Sequence, residues 1–189
     1  MTEYLIRFPK EFLKLKKYVF LTMDIFFVDK IPFLITLIRK IYFTATIHLP
    51  TQKATDIFKY FWRVYFFYLK HGFKITTVHA DGKFYPLQEI IVEMSSGPMV
   101  NLTSANELVP KIEGRILVVK ESCRSTRHSL PFMRLPVILT INILLNNVKL
   151  LGYFPTNAGI LKIISPRAIM TGENLNYKRH LEIYFGKYC

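Results

Sequence analysis

Thirteen acidic residues serve a chain of 189, so the place of each one carries information. Asp24 stands inside the apolar run "YVFLTMDIFFVDK". A carboxylate in such surroundings must be paired, metal-bound or neutral, because burying it alone is costly. Asp81 closes the strand-like segment "FKITTVHA", at the end of a strand where ligand sites of open α/β sheets gather. Glu113 lies on a later helical stretch. If the strands carrying Asp24 and Asp81 are neighbours, a helix can bring Glu113 alongside. Three converging carboxylates would cage one or two Mg²⁺ ions, which take oxygen ligands. A pair of such ions suits phosphodiester chemistry. Each acid also has a plainer reading: Asp81-Gly82 is a common turn dipeptide, Glu113 a solvated helix acid, and Asp24 the buried partner of a lysine. His79, on the same strand face as Asp81, reads as a hydrogen-bonded strand residue outside the cage.

The elements that would position these groups are legible in the hydrophobic pattern. Residues 18–28, 33–39 and 42–49 are short β-branched and aromatic runs, joined by "DKIP" and by a break at Arg39 and Lys40, as antiparallel hairpins require. The first run is apolar enough for burial on both faces. Residues 52–71 are too long for a strand and end before Gly72, a fitting C-terminal cap. Ile57, Phe61, Val64 and Tyr68 recur there at helical spacing, with Tyr60 and Phe67 beside them, so the stripe faces a core. Strands are expected at 73–80 and at "MVNLTS", a helix over 106–128 with Val109, Ile112, Ile116 and Val119 on one stripe, and a second helix after Pro136. The layout is α/β with a mixed sheet.

Lys and Arg number 26 against 13 acids, a formal net charge of +13, which points to a polyanionic partner. The basic residues Arg115, Lys120, Arg124 and Arg127 share the 106–128 segment. No apolar stretch reaches the roughly 18 residues of a spanning helix, and "MTEYLIRFPKEF" lacks a signal-peptide core. No membrane association is expected. Two cysteines, Cys123 and Cys189, form no framework, so a reducing compartment, nucleus or cytoplasm rather than secretion, is the expectation.

The phrases "MDIFFVDKIPFLITL", "HADGKFYPLQE", "NLTSANELVPKIEGRILVVKE", "RHSLPF" and "SPRAIMTGENLNYKRHLEIYFGKYC" occur in an order that resembles the ribonuclease-H-like catalytic core of retroelement integrases. They resemble most specifically the integrase region of copia-type retrotransposon polyproteins. The resemblance runs from about Phe8 to Cys189. It implies a mixed sheet of about five strands flanked by helices, with a basic lead-in at 1–17, a catalytic core at 18–155 and an extension at 156–189. It also implies that Asp24, Asp81 and Glu113 are catalytic and bind two Mg²⁺ or Mn²⁺ ions. A DNA 3′-hydroxyl would then attack a target phosphodiester with no covalent protein intermediate, in a homo-oligomer on DNA.

Lys120 lies 120 − 113 = 7 residues past Glu113, two helical turns on and almost on the same face. It could hold a DNA phosphate as a point charge, with Arg124 extending the stripe; an ordinary solvated charge is the alternative for each. Two features depart from the family pattern. Asp81 and Glu113 are 113 − 81 = 32 residues apart, tighter than is usual, and Gly114 follows Glu113 directly. With no zinc-module, protease or reverse-transcriptase pattern, the chain is expected to be part of a longer polyprotein. The alternative function is a non-catalytic nucleic-acid-binding remnant of a degenerate retrotransposon.

Overall fold

Asp29 and Lys30 both take positive φ, 49° and 65°, the backbone that a two-residue hairpin turn demands at its two central positions. They join β1 (Tyr18–Val28) to β2 (Ile31–Ile38) so tightly that the second strand starts at Ile31 and takes in Pro32. The expected connection "DKIP" is thus a turn of two residues, and proline is tolerated because it stands at a strand start. The computed structural model describes residues 18–92, 97–102, 109–132, 134–159 and 161–177. The expected lead-in at 1–17 lies outside them, as do 103–108 of the expected strand end and helix start.

A second hairpin leads to β3 (Phe43–His48), followed by α1 (Ala54–Lys70), β4 (Lys74–Ala80), a 3-10 turn (Gly82–Phe84), α2 (Tyr85–Val92) and β5 (Met99–Leu102). Then come α3 (Val109–His128), α4 (Val137–Leu151) and the short α5 (Pro166–Thr171). The five strands form one sheet in the order β3-β2-β1-β4-β5. β1, β2 and β3 pair antiparallel, whereas β1–β4 and β4–β5 pair parallel. The crossover to a parallel strand needs a long connection, which α1 supplies.

Alternation along β1 sorts its side chains between two cores. Val19, Leu21, Met23 and Ile25 pack with Phe61, Val64 and Tyr68 of α1 and with Leu87 and Ile91 of α2. The aromatic stripe of α1 therefore does face the core, and the Tyr68 hydroxyl meets Thr36 Oγ1 at 3.0 Å. On the opposite face Phe26 joins Phe33 and Ile35 of β2, Ile112, Ile116 and Val119 of α3, and Ile143, Leu144 and Val148 of α4. Ile169 and Met170 of α5 belong to the first core. Gly72, at φ 81°, ends α1 in the left-handed conformation glycine adopts without cost.

Candidate functional site

Thr22 of β1 is paired with His79 of β4 in a parallel register. Two residues further along each chain stand Asp24 and Asp81, so the parallel pairing itself brings the two carboxylates to one edge of the sheet. Between them lies the ammonium of Lys83, 2.5 Å from Asp24 Oδ1 and 3.4 Å from Asp81 Oδ2. The Asp24 side chain is 21% exposed, and its charge is answered by a lysine, one of the readings the sequence left open. Asp81 has a local duty as well: its Oδ1 accepts the Lys83 amide at 2.6 Å and so caps the 3-10 turn. The Lys83 Nζ also lies 5.7 Å from the centre of the Phe84 ring.

Glu113 does not join this pair. Among the described residues, no three His, Cys, Asp or Glu side chains lie close enough together to hold a metal ion. The cause is the seating of α3. Arg115, counted with Lys120, Arg124 and Arg127 among the basic residues of this segment, is buried, 7% exposed. Its Nε donates to Thr44 Oγ1 on β3 at 2.8 Å, and its guanidinium lies 5.5 Å from the Tyr42 ring centre. Burial lowers the Arg115 pKa, opposed by Tyr42. Glu113, two residues earlier and about 200° round the helix, is turned to solvent.

The C-terminal half of α3 crosses to β1. Lys120 Nζ lies 6.0 Å from the ring centre of Phe26, two residues beyond Asp24 on the same strand face. Arg124 pairs with Glu121, and Arg127 Nη1 reaches Asp29 Oδ2 at 2.9 Å in the β1–β2 turn. Phe27, Asp29, Lys120, Cys123, Arg124 and Arg127 line a cleft of about 230 Å³. Three cations thus stand along one side of the end of β1. Burial pushes the Cys123 thiol pKa up to about 11, so at neutral pH it is a protonated apolar wall and not a nucleophile.

Behind the carboxylates, Arg39 Nε donates to Thr22 Oγ1 at 3.1 Å. His79 lies beside them, its Nδ1 buried and without a hydrogen-bond partner among the described residues, contrary to the expectation of a hydrogen-bonded strand histidine. Burial first, and the Arg39 charge second, hold its pKa below the ordinary value. Lys83 is the residue the sequence reading missed. It stands two places after the aspartate that caps the turn, but nothing in the sequence chose its partner.

No protein-family model matches the chain, and no curated protein matches its sequence. Among solved structures it is similar to the catalytic core domain of BIV integrase, with a TM-score of 0.56 over 81% of this chain and 93% of that one, at 10% identity. The fold is that of an integrase catalytic core. The five-stranded mixed sheet with helices on both faces is the ribonuclease-H-like α/β architecture expected from the sequence. No helix among the described residues is long and apolar enough to cross a membrane.

A divalent ion at the Asp24–Asp81 pair would need the space that the Lys83 ammonium takes. Mg²⁺ asks for near-octahedral oxygen donors at short distance. Two carboxylates already bridged by a cation, with the third acid turned away on α3, do not supply them. As arranged here, the residues do not fit the metal pair.

Proposed function

We propose that this chain is a nucleic-acid-binding core of copia-type retroelement origin, which holds a DNA backbone along the basic face of α3. The observation that carries the reading is the line of Lys120, Arg124 and Arg127 in one cleft at the end of β1, on an integrase-core fold with net charge +13. Such contacts position a duplex through its phosphates and read no sequence. The Asp24–Lys83–Asp81 bridge sits beside this track and neutralises part of the negative potential that would repel DNA. The testing experiment is duplex binding as a function of salt, since a phosphate track releases counterions and loses affinity steeply as salt rises.

A second reading is favoured by one observation, the convergence of Asp24 and Asp81 at the ends of paired parallel strands. On it the chain is an integrase-like polynucleotidyl transferase, a piece of a longer Pol polyprotein that joins retroelement DNA ends to target DNA. Asp24, Asp81 and Glu113 would hold Mg²⁺ or Mn²⁺, which supplies two-metal phosphodiester chemistry when bound. Glu113 and Lys83 would both have to move first. Homo-oligomerisation belongs to this reading. Metal-dependent joining of labelled DNA ends, abolished in Glu113→Gln, would favour it over the binding core; no joining in Mg²⁺ or Mn²⁺ would exclude it.

A further inference from the structure

β1 is the central strand of the sheet, yet two of its aromatic side chains face water: Tyr18 is 62% and Phe20 41% exposed. Its apolar composition predicts burial on both faces. The difference lies in where the helices sit. On this side of the sheet α3 and α4 pack over Phe26 of β1 and over Phe33 and Ile35 of β2. The first part of β1, with β4 and β5 beside it, is left open. We infer that this open face is a stacking platform for single-stranded DNA, separate from the duplex track on α3. The inference goes beyond the duplex-binding proposal and stands on different residues.

The strand register lays the platform out. Tyr18 is paired with Lys74 of β4, and Phe20 with Thr77, which is paired in turn with Met99 of β5. Residues paired in this way point to one face of the sheet, and Met99 is 69% exposed. Tyr18 and Phe20 are two residues apart on that face, about 6.6 Å along the strand, so successive bases of an extended chain can each meet a ring. Phe20 also lies beside the His79 ring, with centroids 6.2 Å apart. Aromatic side chains on an open sheet face are a recurring way of holding unpaired bases.

Charge selects the occupant. Each exposed ring has an exposed lysine at hand: Lys40 Nζ lies 5.7 Å from the centre of Phe20, and Lys74 Nζ 6.0 Å from that of Tyr18. A base stacked on either ring would bring its phosphate within reach of an ammonium. The carboxylates further along the same two strands, Asp24 and Asp81, are bridged by Lys83. A duplex hides its base faces in its own stack and gains nothing from the rings. Selection of RNA would act through the 2′-hydroxyl, whereas the rings and ammoniums here address base and phosphate.

The experiment titrates the wild-type chain, Phe20→Leu and Tyr18→Ala into a labelled oligodeoxythymidylate of about twelve nucleotides, an abasic strand of equal length and a duplex, by fluorescence anisotropy. Phe20→Leu keeps apolar bulk and removes the ring; Tyr18→Ala decides the matter if Phe20→Leu fails to unfold cooperatively. Each variant is expected to bind the oligodeoxythymidylate at least about fivefold more weakly, the low end for one lost stacked base, with abasic-strand and duplex binding unchanged. Unchanged affinity, or an equal loss on the abasic strand, would overturn the inference. So would binding of the matching oligouridylate more than about tenfold tighter than the deoxy strand, a 1.4 kcal/mol preference that rings and ammoniums do not supply. Sedimentation tests the other occupant: a wild-type dimer that the substitutions turn into monomers, with strand binding unchanged, would make the face a contact between copies and overturn the inference. Absence of duplex binding in the wild type, with ring-dependent binding of the single strand retained, would defeat the duplex reading alone.

Discussion

Arg115 Nε donates to Thr44 Oγ1 at 2.8 Å and so ties the first half of α3 to β3, an outer strand two places from the one that carries Asp24. The bond joins the buried stripe of Ile112, Ile116 and Val119 in setting the roll of the helix: the face that carries Arg115 is buried, and the face that carries Glu113 is wet. A cation buried without a carboxylate partner among the described residues rests on that bond and on the Tyr42 ring. Thr44→Val should therefore destabilise the fold by about 1.5–3 kcal/mol, the usual value of a hydrogen bond to a charged group. Arg115→Met, which removes the buried charge altogether, should cost less than Thr44→Val. Chemical denaturation of both variants checks the order. The reverse order would mean that Arg115 stabilises through contacts other than Thr44.

Gly114 interrupts α3 where a side chain would meet nothing: a Cβ built there has no neighbour within 4 Å. Glycine inside a helix costs about 1 kcal/mol relative to alanine. Gly114→Ala is therefore expected to stabilise the protein by up to about 1 kcal/mol, seen as a raised melting temperature. A lowered melting temperature would show that this turn requires glycine.

His79 gives the fold a pH dependence of definite sign. Burial, and then the Arg39 charge, lower its folded-state pKa below the unfolded value of about 6.5. Between those two values the unfolded chain binds more protons than the folded one, so stability rises with pH in that window. The contribution is complete above about 6.5 and is lost as pH falls through the lowered value. Denaturation midpoints should drop on acidification from pH 7, and the drop should be shallower in His79→Gln. An equal drop in both proteins would assign the slope to other groups.

Lys120 and Arg124 differ from Arg115 in being reachable from solvent. Lys120→Gln is expected to reduce the salt slope of duplex binding by about one phosphate contact and Arg124→Gln by less, with melting temperature little changed in both. Arg124 shares its charge with Glu121, so its effect should be the smaller. Unaltered slopes in both variants would move the DNA track elsewhere on the surface.

The frame of the molecule was legible because its signals are local and periodic. The apolar runs that became β1 to β4, the 3.6-residue stripe of α1 and the glycine at its end all act within a few residues of one another. The convergence of Asp24 and Asp81 was also within reach, since it follows once β1 and β4 are neighbours. The burial of Arg115 was not. It depends on Arg115 finding Thr44, 71 residues away, and a basic residue on an amphipathic stripe reads as solvated until its partner is known. Lys83 escaped for a related reason: a long flexible side chain in a turn has many possible partners, and sequence alone does not choose among them. The plainer reading of Glu113, a solvated helix acid, describes its place here.

Whether the basic face of α3 binds a nucleic-acid backbone decides the proposed function. The decisive measurement is fluorescence anisotropy of a short labelled duplex titrated with the wild-type chain in chelator, between about 50 and 200 mM salt. Binding without added metal is expected, with a log–log slope near −0.9 for each phosphate engaged, reduced in the Lys120→Gln and Arg124→Gln variants. Absence of binding at the lowest salt, or an affinity that salt does not change, would contradict it.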